Sequence, residues 1–324
     1  MPLKSLFQQA CCSDEATVKA WAKEWIANIK ANKKKYSSFA DHSAGMLHGS
    51  AEGLPCIIAG SGPSLKLNIG MLKHRPKYMK LLSCLHNFHA MEDNDANVDY
   101  YFSLDAGYIT VGEVSEGGKR TEEEYWELTK DKTLICVICT HPKLLEKWRG
   151  RVLFFNVPVP DKAYMAEVMA IEAFHQWFST GGNVLGAATY FAKGFLGCPT
   201  CIFVGADFSF SNRDKVKFHY WDSKYDENIG ETLRTVDVYG NSVKTWASYY
   251  SFKKWFDYLT NVMPGIWINA TEGGIFGAYR EGNIQSILYL DLENVYKMFK
   301  IHDNIEYQAK NPSVEAPGSH IILI

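Results

Sequence analysis

Apolar positions recur every three to four residues over 14–35, where Val18, Trp21, Trp25, Ile26 and Ile29 share one stripe. This spacing predicts an amphipathic N-terminal helix, capped by Ser13 or Asp14. A polar stretch over 36–53, rich in Ser, His and Gly, separates it from a run of short apolar blocks. Strands are predicted at 55–59, 78–84, 100–104, 133–140, 151–157, 201–205 and 266–270, each bounded by turn residues. Helical periodicity fills the intervals at 65–72, 122–128, 143–148, 161–178, 184–196, 248–259 and 288–299. Strands alternating with helices predict an α/β architecture: a Rossmann-like, mostly parallel sheet flanked by helices, with a helical N-terminal appendage. The expected division is 1–53 for the appendage, 54–300 for the nucleotide-binding domain and 301–324 for a tail ending in Ile321 to Ile324.

The first strand breaks into Gly60, Ser61, Gly62, Pro63 and Ser64 before helical spacing resumes. Two glycines allow a sharp turn and a close approach to a ligand, Pro63 suits a first helical turn, and the serine hydroxyls add donors beside backbone N–H groups. The pattern suits a phosphate. It lacks the Gly-Lys-Ser/Thr ending of a Walker loop, and Leu65 stands where the dinucleotide fingerprint has its third glycine. Thr180, Gly181 and Gly182 repeat the arrangement ahead of a helix of small residues (Gly186, Ala187, Ala188), and the strand after it ends at Asp207. Asn87, Asp105, Asp207 and the group Asn269, Thr271 and Glu272 each follow a strand. In an open α/β sheet that edge forms the ligand crevice.

Composition narrows the picture. The 324 residues are 47% hydrophobic and 22% charged with a formal net charge of -2, which argues against a dedicated nucleic-acid coat. No apolar run reaches the ~18 residues of a membrane span, and the N-terminus lacks a signal-peptide core, so a cytoplasmic location is expected. Of eight cysteines, Cys136/Cys139 and Cys198/Cys201 form two C-x-x-C pairs. The first lies in an expected buried strand, where residues three apart face opposite ways. This favours core thiols over zinc, and no metal site is expected.

Residues 57–66 resemble the opening of the small bacterial CMP-sialic-acid-dependent sialyltransferases, and 180–208 their second nucleotide-site stretch. With 238–246 and 268–274, the set resembles still more the Maf-type proteins, motility-associated flagellin glycosyltransferases and their relatives. An archaeal-type 6-hydroxymethyl-dihydropterin pyrophosphokinase shares that domain family. The resemblance implies that Gly60, Ser61, Gly62 and Ser64 contact phosphate or ribose, that Asn87 and Asp105 lie near the nucleotide, and that Thr180, Gly181 and Gly182 face nucleotide and sugar. Asp207 and Ser209, which stands where the sialyltransferases have tyrosine, complete the expected nucleotide set. His219 is the expected base, on a polar aromatic lid over 212–239, with Tyr220, Asn269, Thr271 and Glu272 toward the substrate. The expected activity is transfer of a nonulosonate from a CMP-activated donor to an unknown acceptor, with no tightly bound cofactor and with homo-oligomer formation open. The alternatives are an Mg-ATP-dependent pyrophosphokinase, with Asp105, Asp207 and Glu272 as metal carboxylates, and a non-catalytic nucleotide-binding protein.

Overall fold

The computed structural model describes residues 3–210 and 232–300, with side chains from residue 17 onward. Eight strands form one sheet: β1 (Cys56–Ala59), β2 (Lys80–Cys84), β3 (Tyr100–Ser103), β4 (Thr133–Val137), β5 (Arg151–Phe155), β6 (Thr200–Val204), β9 (Ile266–Asn269) and β10 (Ile287–Tyr289). Two further strands, β7 (Thr232–Val236) and β8 (Ser242–Trp246), pair as an antiparallel hairpin. The helices are α1 (Leu3–Tyr36), α2 (Leu65–Leu72), α3 (Phe88–Asp93), α4 (Ile109–Gly112), α5 (Glu122–Leu128), α6 (Pro142–Lys147), α7 (Lys162–Ile171), α8 (Val184–Phe191), α9 (Ala247–Val262) and α10 (292–300).

The sheet order is β10-β9-β6-β1-β2-β3-β4-β5, and every pair in it is parallel. The chain lays β1 to β5 outward in one direction, then returns to place β6 on the other side of β1. That reversal is the topological switch, and it sets the carboxyl ends of β1 and β6 side by side, the edge where open α/β sheets bind ligands. The central strands are buried on both faces, which is why they read as unbroken apolar runs. Burying them removes most of their apolar surface from water at roughly 25 cal/mol per Å², the main force holding the two halves together.

The N-terminal helix α1 docks on this body through two asparagines. Asn28 Nδ2 donates to the carbonyls of Ala106 and Cys139, and Asn32 Nδ2 to those of Ile138 and Thr140. Both side chains are buried, so α1 satisfies carbonyls at the ends of β3 and β4 that would otherwise lie dry and unpaired.

Three elements differ from the sequence reading. The helix expected over 161–178 stops at Ile171 because Glu172 turns extended and its carboxylate accepts from Lys33 Nζ and the Ser38 hydroxyl. The polar segment before Trp246, expected as part of a lid, contributes β7 to a hairpin within its described portion. The helix expected from Leu288 begins later, since Ile287–Tyr289 pairs with β9 as a strand. In the first and third cases a distant partner overrides the local period.

Candidate functional site at the switch between β1 and β6

The 60–64 loop leaves β1 and immediately meets the exit of β6. Gly60 N–H donates to Val204 O and Gly62 N–H to Gly205 O, both at 2.9 Å. The approach excludes side chains: a Cβ on Gly60 would sit 2.5 Å from Gly205 O. Gly205 adopts φ +61, and a Cβ there would come equally close to Gly60 O. Neither position tolerates alanine.

Asp207 fills the space this creates. Its carboxylate accepts the Ser64 hydroxyl at 2.7 Å and the Ser64 N–H at 3.3 Å, which caps the N-terminus of α2. A Cβ on Gly62 would fall 2.1 Å from Asp207 Oδ2, so glycine at 62 is required by the carboxylate. The side chain is buried, and that desolvation pushes its carboxyl up to about 7 against the opposing pull of the Ser64 donors. No cation is paired with it among the described residues. The N–H groups expected to stand free beside this loop are therefore engaged. Those of Gly60 and Gly62 bond to β6 and its exit, that of Leu65 to Gly62 O, and that of Ser64 to Asp207.

The 271–277 loop closes over the pair from the end of β9. Ile275 N–H donates to Asp207 O at 2.8 Å, and Gly274, at φ +72, lies so close that a Cβ would be 2.4 Å from Asp207 Cα. Thr271 Oγ1 accepts from Ala206 N–H, while Asn269 Oδ1 takes the Thr271 N–H and its Nδ2 donates to Phe276 O. Glu272 accepts Asn68 Nδ2 at 2.7 Å. Asn68 lies one turn after Ser64, so α2 presents both to carboxylates, Ser64 to Asp207 and Asn68 to Glu272. The 237–241 turn of the hairpin adds an outer layer, with Val238 N–H on Gly274 O.

Two bulky residues hold left-handed backbone at these exits, Phe208 at φ 50 and Glu272 at φ 59. Each costs of order 1–3 kcal/mol, and such outliers cluster where a site is held in a fixed shape. Phe208 is fixed by Phe256 and Phe276 and by the Thr245 hydroxyl on its carbonyl.

The remaining sequence-predicted residues fall into three groups. Asn87 joins the centre: its Nδ2 donates to Gly60 O at 3.0 Å, to Ala59 O and to Ser83 Oγ, which fixes the amide orientation and leaves Oδ1 buried without a partner. Asp105 is exposed after β3 and accepts from Gly107 N–H in its own turn. Thr180, Gly181 and Gly182 stand ahead of α8, whose cap is Asn183, bonded to Gly186 N–H. A Cβ on Gly181 would strike Trp255 and one on Gly182 would strike Phe252, both on α9, and both glycines hold positive φ. The same helix carries Phe256 against Phe208, so α9 ties this loop to the exit of β6. Ser209 is buried beside Phe208, while His219 and Tyr220 lie outside the described residues.

Sequence reasoning passed over Asn68 and Gly205. The i, i+4 spacing from Ser64 was the available signal for the first; the second depends on strand order, which no local pattern carries.

No helix among the described residues is long and apolar enough to cross a membrane. No group of three or more His, Cys, Asp or Glu side chains suited to a metal occurs among them either. The fold is similar to that of the MAf glycosyltransferase from Magnetospirillum magneticum AMB-1, with TM-score 0.60 and 17% identity over 89% of this chain. The alignment covers 42% of that protein, so this chain spans less than half its length, and at this identity the likeness is one of fold. No curated protein matches the chain. Residues 23–213, more than half of the sequence and the stretch that carries the 60–64 loop, Asn87 and Asp207, match the model for 6-hydroxymethylpterin diphosphokinase MptE-like proteins, and the chain belongs to that MptE-like family.

Proposed function

We propose that the protein is a nucleotide-dependent transferase that binds a nucleotide phosphate in the crevice between β1 and β6. One observation carries the reading: in an all-parallel sheet with reversed strand order, the 60–64, 205–207 and 271–277 loops converge at the switch point. The transferred group is a sugar, most specifically a nonulosonate from a CMP-activated donor. Such a transfer passes through an oxocarbenium-like state, so the enzyme must position the acceptor, take its proton and stabilise the departing phosphate. Ser61, Ser64 and Asn87 are the proposed contacts to phosphate and ribose, and His219 the proposed proton acceptor. Tyr220, Asn269 and Thr271 belong to the substrate side.

A second reading is pyrophosphoryl transfer from ATP, in line with the family's diphosphokinase description. The specific feature in its favour is the pair of carboxylates, Asp207 and Glu272, addressed to one face of α2. Asn68, which donates to Glu272, carries a buried amide oxygen without a hydrogen-bond partner. Magnesium is usually held by one or two carboxylates together with substrate phosphates, so these residues would hold the ion, which would neutralise phosphate charge.

Thermal shifts with CMP, CDP, UDP, GDP and ATP, each with and without Mg2+, separate the two, because a ligand that binds only the folded state raises its stability. Stabilisation by cytidine nucleotides without metal supports glycosyl transfer. A response confined to Mg-ATP supports the pyrophosphokinase, and no response to any nucleotide contradicts both.

A further inference from the structure

We propose that the exit of β3 carries a nucleobase subsite: Asp105 accepts the exocyclic amine of cytosine or adenine, and the Tyr108 ring stacks on the base. The inference rests on the reading that a nucleotide phosphate binds at the 60–64 loop, and it adds which bases that site takes.

Strand order sets the reach. β1, β2 and β3 lie side by side, and at about 4.8 Å per strand the exit of β3 stands about 10 Å from that of β1, the span of a mononucleotide from phosphate to base. Asn87, at the exit of β2, lies between them and donates to Gly60 O. Phosphate at the 60–64 loop, ribose beside Asn87 and base over the 104–108 turn thus follow one line along the carboxyl edge of the sheet.

That turn carries a ring that is open yet held. Among the described residues Tyr108 is the most exposed of the large apolar and aromatic side chains, at 63%. His141, in the turn after β4, packs edge to face against it at 5.2 Å. The backbone beneath both is fixed from α1. Buried Asn28 donates to Ala106 O and Cys139 O, and buried Asn32 to Ile138 O and Thr140 O, so one helix ties the residues beside Asp105 and His141. A platform ordered before the ligand arrives loses little freedom on binding.

Asp105 supplies the polar half. It is exposed, its Oδ1 accepts Gly107 N–H at 2.7 Å, and among the described residues its side chain has no other hydrogen bond and no ion pair. The second carboxylate oxygen is left to a ligand. An ionised carboxylate accepts hydrogen bonds and cannot donate them. It therefore selects bases by the edge they present: cytosine and adenine offer an amine where uracil and hypoxanthine offer a carbonyl, whose oxygen the carboxylate repels.

The test uses the full chain and two matched pairs, CMP with UMP and AMP with IMP, titrated in a calorimeter with and without Mg2+. In whichever pair binds, the amine-bearing member should bind about tenfold to a hundredfold tighter, the usual worth of a hydrogen bond to a charged group. Asp105→Asn keeps an oxygen for Gly107 N–H but adds an amide donor that suits a carbonyl, so the two members should bind within about threefold of each other. Tyr108→Ala should weaken both members by about tenfold and keep their ratio, since stacking is indifferent to the edge of the base. Both side chains are exposed, and circular dichroism checks that each variant is folded. Equal binding of the two members by the parent, an unchanged ratio in folded Asp105→Asn, or full affinity in folded Tyr108→Ala would overturn the base subsite while leaving the nucleotide reading intact. Absence of binding of all four nucleotides to the folded parent would overturn both.

Discussion

Gly62→Ala and Gly70→Ala place the same methyl group in the 60–64 loop and on α2, yet should act in opposite directions. At 62 the new Cβ would lie 2.1 Å from Asp207 Oδ2 and 2.7 Å from Gly205 O. The second atom is main chain and is held in place by Gly62's own N–H, so the carboxylate must move. At pH 8, where Asp207 is ionised, moving it breaks the 2.7 Å hydroxyl bond and the cap on Ser64 N–H, two charge-assisted contacts worth about 1.5–3 kcal/mol each. The expected loss is about 3–6 kcal/mol, a large share of the ~5–15 kcal/mol that holds a typical protein folded. At 70 nothing lies within 4 Å of the added Cβ and the residue is helical, so alanine should gain about 0.5–1 kcal/mol. Urea unfolding followed by circular dichroism measures both. A Gly62→Ala protein within about 1 kcal/mol of the parent would refute the assignment of Asp207 to that space.

Two further expectations come from buried charges. Between about pH 4 and 7 the folded protein holds a proton on Asp207 that the unfolded chain has released, so stability should fall as pH rises through that window. Roughly three pH units at about 1.36 kcal/mol each give about 4 kcal/mol, and Asp207→Asn should remove that part of the slope in pH-dependent denaturation; an unchanged slope would contradict it. Lys253, fully buried, pairs with Asp257 at 2.6 Å, and Asp257 also takes the Tyr279 hydroxyl and Gly277 N–H that anchor the end of the 271–277 loop. Lys253→Met should cost about 3–5 kcal/mol by stranding that carboxylate, and a double change to Lys253→Met with Asp257→Leu should recover part of it; a single-variant cost under 1 kcal/mol would show the pair to be dispensable.

Much of the fold was legible because the central strands are short, apolar and bounded by turns, and because α2 and α5 begin and end where the sequence places their caps and breaks. The elements that escaped depend on distant partners. Ile287–Tyr289 is a strand only because β9 offers it an edge, and helix α7 ends where Glu172 finds Lys33 and Phe39. The site was legible as a set of strand ends but not as an arrangement. That Ser64, Asn87 and Asp207 belong together follows from β6 lying against β1, a fact of strand order rather than of any local pattern. The glycines show the same limit: at 181 and 182 their spacing suggested a ligand loop, but not that a Cβ there would meet Trp255 and Phe252.

The most direct test of the central claim is a crystal structure of the full chain grown with CMP, and a second grown with ATP and Mg2+. A nucleotide phosphate within hydrogen-bonding distance of the 60–64 loop, between the ends of β1 and β6, is the predicted result. A nucleotide seated elsewhere on the protein would contradict it.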